Sequence, residues 1–312
     1  MAKRTPKQTS STANIIVVAA AITLVIIIIL AVIAWSKCRR SNGIQQEQIP
    51  LKNREQGAND STVLDAPAQH YEAAPSPERG ELHVDTDIHD ACNRGNLPRV
   101  KRILSQGNVD IESKEMHGRT PIMLAAYWGH GDMFNVIMSE QPDVSKLDKD
   151  GNNILHLACY GGDMKVVKYV LSQNMADINS RNQQGKTPLM WAASCGHKEL
   201  FIYLLDIGHA DMSQVDNDGN TVLHLACCGG NNEVVDSVLL QNIVHIDSRG
   251  HEGKTPAMMA AEKGRKSVLD LLKSNGADLS LKDKFSNNAY QLARLNGHEE
   301  ITKDLAASCL VM

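Results

Sequence analysis

The chain has 312 residues, of which 42% are hydrophobic and 4% aromatic, and its 32 Lys and Arg against 36 Asp and Glu give a formal net charge of −4. This length accommodates one large domain together with additional segments. The acidic balance argues against nucleic acid as a partner, because binding to phosphates requires an excess of cations.

The N-terminal region predicts a membrane anchor. Residues 1–14 form a short tail with three basic residues and no acidic one, and residues 15–35 are Ile, Val, Ala and Leu interrupted by Thr23 and ending at Trp35. At about 1.5 Å per residue, a helix of this length spans about 30 Å, the thickness of a bilayer core. A signal peptide cleaved after Ala34 is the alternative, but the apolar run is longer than signal peptides carry.

The distribution of Lys and Arg around this segment predicts its orientation. Three of these residues precede it, whereas residues 36–55 contain five. Cytoplasmic flanks carry the larger number of Lys and Arg. We therefore expect a single-pass protein of the plasma membrane or an endomembrane, with its C-terminal side facing the cytoplasm.

Residues 36–80 predict a flexible juxtamembrane linker, because the segment is polar, contains four prolines after residue 40 and shows no sustained apolar period. Cys38 lies beside the expected membrane surface, where reversible palmitoylation occurs. Ser76 precedes a proline and is a weak candidate for phosphorylation. Asn59 begins a glycosylation sequon, which is used only if this side of the membrane is luminal.

From residue 81 onward one sequence frame recurs every 33 or 34 residues. In its best preserved form Thr187 predicts a helix N-cap, Pro188 the first helical position and Gly196 a left-handed helix end. A second helix with one apolar face is expected from about Lys198. Copies 1 to 7 of the frame start at Thr86, Thr120, Asn153, Thr187, Thr221, Thr255 and Asn288.

This period and the segments TPIMLAA, NILHLAC, TPLMWAA and TVLHLAC resemble the ankyrin-repeat family. The resemblance implies an all-α solenoid of helix-turn-helix-β-turn repeats over residues 81–308, preceded by the single transmembrane helix. The degraded copies 1 and 7 are then the caps that shield the ends of the stack.

A second period of 67 or 68 residues lies within the repeats. Copies 2, 4 and 6 share G-[RK]-T-P-x-M-x-A-A, whereas copies 3 and 5 share LHLAC-x-GG. The unit of similarity is therefore two repeats, and we expect successive finger turns, which precede the first helix of each copy, to differ in chemistry.

Neither a metal site nor a catalytic site is predicted. His156 and Cys159 have a spacing that suits metal ligands, and copies 1 and 5 have the same pair. In the family this His makes hydrogen bonds between neighbouring turns, and the Cys replaces a packing Ala. We therefore expect buried thiols, and, since no nucleotide-binding or hydrolase motif occurs, no enzyme and no cofactor.

The resemblance places partner contacts on the concave face, which the first helices line, and on the finger turns. The predicted partner-binding residues are Tyr127, Trp128, Tyr160, Lys114, His117, Arg181 and Phe285. Further places on the first helices are occupied by Ser194, Cys228, Glu262 and Lys263. From residue 81 onward there are 23 Lys and Arg against 30 Asp and Glu, which favours a protein partner with a basic surface over nucleic acid.

The last four residues, 309–312, read CLVM and fit the prenylation motif C-a-a-X, with a farnesyl group expected on Cys309. Together these features predict a membrane-anchored scaffold or adaptor that binds a protein partner in the cytosol. Two alternatives remain open, a regulatory subunit of a membrane channel or enzyme complex and a luminal or secreted repeat protein released by signal cleavage.

Overall fold

The computed structural model of the protein describes residues 87–309, and the side chains of residues 87–306. The transmembrane helix predicted at 15–35, the linker 36–80 with Cys38, and the last three residues of the prenylation motif lie outside the described residues. None of the helices between residues 87 and 309 is both long and apolar enough to cross a bilayer.

The described residues form seven helical hairpins, one pair of helices for each copy of the frame. The first helices of the pairs are α1 (Ile88–Asn93), α3 (Pro121–Tyr127), α5 (Ile154–Gly161), α7 (Pro188–Cys195), α9 (Val222–Gly229), α11 (Pro256–Glu262) and α13 (Ala289–Leu295). The second helices are α2 (Leu97–Ser105), α4 (Gly131–Met138), α6 (Met164–Ser172), α8 (Lys198–Asp206), α10 (Asn232–Leu240), α12 (Lys266–Ser274) and α14 (Glu299–Cys309). Between residues 87 and 309 there is no β-strand beyond an isolated bridge, so the predicted all-α class is confirmed for this part of the chain.

The helix boundaries follow from the capping residues of the frame. The hydroxyl of Thr187 accepts a hydrogen bond from the backbone N–H of Met190 at 3.3 Å, and Pro188 occupies the first helical position of α7. Gly196 ends α7 with φ of 76°, a left-handed conformation that costs glycine little. Both ends of this helix are therefore where the sequence predicted them.

The core runs continuously through the stack because each first helix packs on the first helix of the next copy. Small side chains allow this close approach, as at Ala192 and Ala193, which are both fully buried. Cys92, Cys159 and Cys227 take the place of the second alanine and are buried free thiols, as predicted. Burial raises the pKa of the Cys92 thiol to about 12, so this group stays protonated and unreactive.

Two buried histidines connect neighbouring copies. His156 Nε2 donates to the carbonyl oxygen of Lys186 at 3.0 Å, and His224 Nε2 donates to that of Lys254 at 3.1 Å. The expected role of these histidines in linking neighbouring turns is thus confirmed. Within the part of the chain that the structure describes, no group of three His, Cys, Asp or Glu side chains is arranged to hold a metal ion.

Candidate protein-binding surface

Four aromatic side chains from three consecutive copies form a continuous row, which we call the aromatic ladder: Trp128, Tyr127, Tyr160 and Trp191. The ring centroids of Trp128 and Tyr127 are 5.0 Å apart in an edge-to-face contact. Tyr127 and Tyr160 stack at 4.4 Å with an interplanar angle of 8°. Tyr160 then meets Trp191 edge-to-face at 5.4 Å. Three of the predicted partner-binding residues are therefore brought together.

The repeat itself creates the ladder. Tyr127 and Tyr160 follow the frame starts of copies 2 and 3 by the same seven positions, at the C-terminal ends of α3 and α5. Equal places in adjacent copies lie side by side when the first helices stack, so the two rings meet face to face. The indole N–H of Trp128 donates to the Asn93 side-chain oxygen at 3.1 Å, which ties the ladder to copy 1.

Trp191 is the member of the ladder that was not predicted as a partner-binding residue, because its place in the repeat was expected on the packed side of the helix. Leu124 and Leu157 occupy this place in copies 2 and 3 and are each 2% exposed. The larger indole of Trp191 is only half-buried and extends to Tyr160. Its Nε1 atom is buried and has no hydrogen-bond acceptor among the described residues.

Cations lie over two rings of the ladder, those of Tyr127 and Trp191. The guanidinium carbon of Arg119 lies 3.9 Å from the ring centroid of Tyr127, and the ammonium of Lys186 lies 4.9 Å from that of Trp191. Both distances suit cation–π attraction. Arg119 and Lys186 are the residues immediately before the frame starts of copies 2 and 4, so the two-copy period of the sequence places them at equivalent positions.

The ladder is accessible from solvent along part of its length. Trp128 has 37% of its surface exposed, whereas Tyr127, Tyr160 and Trp191 are half-buried. Half-buried rings in fixed mutual contact offer apolar area whose side-chain entropy is already reduced, which favours binding of a partner.

The predicted finger-turn residues contact the neighbouring copy. Lys114 Nζ donates to the carbonyl oxygen of Leu147 at 2.8 Å, and Arg181 Nη1 donates to that of Val215 at 2.6 Å. Both residues therefore hold successive finger turns together. His117 is exposed in the turn of copy 2, and its backbone carbonyl accepts from the next turn.

Two other predicted places differ from the ladder. Phe285 is 64% exposed in the finger turn of copy 7, three copies beyond Trp191, and is not part of the same cluster. Cys228, one of the further places on the first helices, is only 6% exposed and so offers little surface to a partner. Its small side chain is covered by the surrounding residues. Burial raises the pKa of the Cys228 thiol to about 11.

Comparisons with known proteins agree with this architecture. Residues 130–214 and 207–283 match the family model of ankyrin repeats (3 copies). A segment of 98 residues is 33% identical to Ankyrin repeat and SAM domain-containing protein 6 of Mus musculus, covering 31% of this chain and 11% of that protein. A segment of 55 residues is 38% identical to Ankyrin repeat domain-containing protein 29 of Homo sapiens, covering 18% of each chain.

A further relative, named Probable palmitoyltransferase AKR2, comes from Saccharomyces uvarum. It is 31% identical over 85 residues, which cover 26% of this chain and 12% of that protein. The chain therefore spans a small part of the length of each of these relatives. Their shared segments are repeats, and repeats of this kind form extended surfaces for protein–protein interaction.

The period of 33 or 34 residues, the seven stacked helix pairs and the matching family model all describe one architecture. The chain is a member of the ankyrin-repeat family.

Proposed function

We propose that this protein is a membrane-anchored scaffold that binds a protein partner on the cytosolic side through the aromatic ladder. The observation that carries the proposal is the unbroken series of ring contacts from Trp128 to Trp191 across copies 2, 3 and 4. Aromatic residues that are rigid and partly exposed dominate the energy of protein–protein interfaces.

The low aromatic content of the chain is a second argument that this cluster is functional. Aromatic residues make up 4% of the chain, yet four of them meet on adjacent first helices. A stable core does not require this arrangement, since copy 5 packs Leu225 and Cys228 at the corresponding places. Selection for binding explains why rings replace such small or aliphatic residues in copies 2 to 4.

Membrane attachment is the second part of the proposal. It is supported by the apolar run at 15–35 and by the C-terminal CLVM motif, which would carry a farnesyl group on Cys309. A binding role without catalysis is supported by the buried, protonated thiols and by histidines engaged in hydrogen bonds between copies. The acidic balance of the repeats supports a partner with a basic surface outside the ladder itself.

Proximity labelling in intact cells tests this function. A labelling enzyme fused near the repeats of the full-length chain should mark cytosolic proteins, and carbonate-washed membranes should retain the chain. A matched fusion that carries Tyr160→Ala should lose a defined subset of the marked proteins. Labelling of luminal proteins, or an unchanged set with Tyr160→Ala, would overturn the proposal.

A further inference from the structure

Three cations occupy one equivalent place in the stack, immediately before the frame starts of copies 2, 4 and 6. Arg119 Nε lies 3.4 Å from Asp148 Oδ2, a carboxylate whose side chain is fully buried. Lys254 Nζ lies 2.8 Å from Glu262 Oε2 and 3.1 Å from Glu252 Oε2. The first and third of these cations are therefore neutralised by carboxylates of the chain itself.

Lys186, the second cation, has no such counter-ion. Its ammonium lies over the ring of Trp191, and it forms no ion pair with any described side chain between residues 87 and 306. The sequence explains the difference. The place that Glu262 takes in copy 6 is occupied by Ser194 in copy 4, which removes the carboxylate that would pair with Lys186.

Two side chains of copy 4, Ser194 at the place of Glu262 and Trp191 under the Lys186 ammonium, have polar groups without a described hydrogen-bond partner. The hydroxyl of Ser194 is half-exposed and makes no hydrogen bond to another described residue. The indole N–H of Trp191 also lacks an acceptor. A half-buried lysine over an aromatic ring, with no carboxylate at the place that Glu262 takes in copy 6, is an environment that a carboxylate of a ligand completes, because charge-assisted hydrogen bonds strengthen when water is partly excluded.

We infer that Lys186 binds a carboxylate of the protein partner, so that the partner segment seated on the aromatic ladder carries Asp or Glu beside an apolar or aromatic residue. This inference rests on the proposed function, since it names the chemistry of the segment that the ladder receives. The apolar residue lies against the rings of Tyr160 and Trp191, and the carboxylate accepts from the Lys186 ammonium.

The net negative charge of the repeats does not oppose this contact. Charges on exposed surfaces are screened over about 8 Å at physiological ionic strength. The Lys186 ammonium, in direct contact with the ligand, therefore outweighs acidic residues on distant copies. A basic surface elsewhere on the partner is still attracted by the net negative charge of the repeat domain.

A displayed library of random peptides, selected against the full-length protein in detergent, tests the inference. Selected peptides should be enriched in Asp or Glu next to apolar residues. In titrations with one selected peptide, Lys186→Gln should weaken binding by about tenfold, as should replacement of the peptide carboxylate by its amide. The two changes together should cost no more than either alone, and Lys186→Arg should retain most of the affinity.

Lys168→Gln is the matched control, because the Lys168 ammonium lies 5.2 Å from the ring centroid of Tyr203 on the row of second helices. It should leave peptide affinity unchanged. Peptides enriched in Lys or Arg, a selection without binders, or unchanged affinity with Lys186→Gln would overturn the inference. If Tyr160→Ala abolishes binding but Lys186→Gln does not, the proposed function holds, because the ladder binds the peptide. Only the inferred contact between Lys186 and a carboxylate is then wrong.

Discussion

The rings of Tyr127 and Tyr160 are stacked 4.4 Å apart and within 8° of parallel, although 33 residues separate them in the chain. Their spacing is a product of the repeat, because each residue lies at the C-terminal end of the first helix of its copy and these helices are held together by buried small side chains. Packing of the core thus fixes the geometry of the proposed binding surface.

A double-mutant cycle on this pair should reveal direct coupling. Tyr127→Ala and Tyr160→Ala should each lower the free energy of unfolding, and their sum should exceed the effect of the double variant by about 0.5–1.5 kcal/mol. Urea unfolding followed by circular dichroism measures these energies. Strictly additive effects would show that the stacked rings do not stabilise one another.

Burying a charge in the first-helix row should unfold the stack. Leu155 is fully buried in α5, so Leu155→Asp places a carboxylate where water cannot hydrate it. In a fragment of residues 81–308, which we expect to fold without the membrane, the loss should reach about 4 kcal/mol or more. Leu240, which is 74% exposed, supplies the control Leu240→Asp, with little expected effect. Equal melting temperatures for the two variants would contradict the assigned core.

Stability should fall on mild acidification because of buried histidine. Burial lowers the pKa of His156 to about 4, so the unfolded chain takes up this proton at a higher pH than the folded chain does. The free energy of unfolding therefore decreases as pH falls from about 6.5 towards 4, with a slope for this residue of up to about 1.4 kcal/mol per pH unit. Above pH 6.5 the contribution is constant.

His156→Gln should reduce that slope while preserving the helix cap. Gln291 occupies the same frame place in copy 7, where its side-chain oxygen accepts the N–H of Asn288 at 2.7 Å. His117→Gln is the control, since His117 is exposed on a finger turn. Urea unfolding at a series of pH values gives the slopes, and identical slopes for wild type and His156→Gln would refute the assignment.

The sequence predicted most of the fold because its signals are local. Thr187, Pro188 and Gly196 define a helix through backbone geometry alone, and regular spacing then requires the helices to stack. The contacts between copies were less predictable. Lys114 and Arg181 are long cationic side chains of the kind that bind partners, yet each donates a hydrogen bond to a backbone carbonyl of the next finger turn. Such a contact depends on the distance between neighbouring finger turns, which local sequence does not reveal.

The aromatic ladder was predicted in part for the same reason. Tyr127 and Tyr160 share a frame place that points to the surface, but Trp191 occupies a place that leucine buries in copies 2 and 3. The larger indole at this place is half-buried and reaches the ring of Tyr160. Cys228 shows the opposite case, since a small apolar side chain at the place that Tyr127 and Tyr160 take in their copies is almost fully buried.

Lipidation is a separate prediction. Cys309 is the last residue of α14, and a farnesyl group on it would attach the C-terminal end of the repeats to the membrane. A single lipid chain gives weak and reversible binding, so a chain lacking residues 1–40 should partition partly to membranes. Cys309→Ser in that background should make it soluble. Intact-mass spectrometry of protein from eukaryotic cells checks this directly, and an unmodified chain still ending in Val311-Met312 would disprove it.

The most direct test of the aromatic ladder compares two aromatic residues of equal exposure. Trp128 on the ladder and Tyr169 on the row of second helices are each 37% exposed. With the partner recovered by proximity labelling, Trp128→Ala should raise the Kd by about thirtyfold, which corresponds to about 2 kcal/mol. Tyr169→Ala should leave the Kd within about twofold of the wild-type value, since a residue outside an interface contributes little to binding. Equal affinities for the two variants, or a loss confined to Tyr169→Ala, would contradict the central role of the ladder.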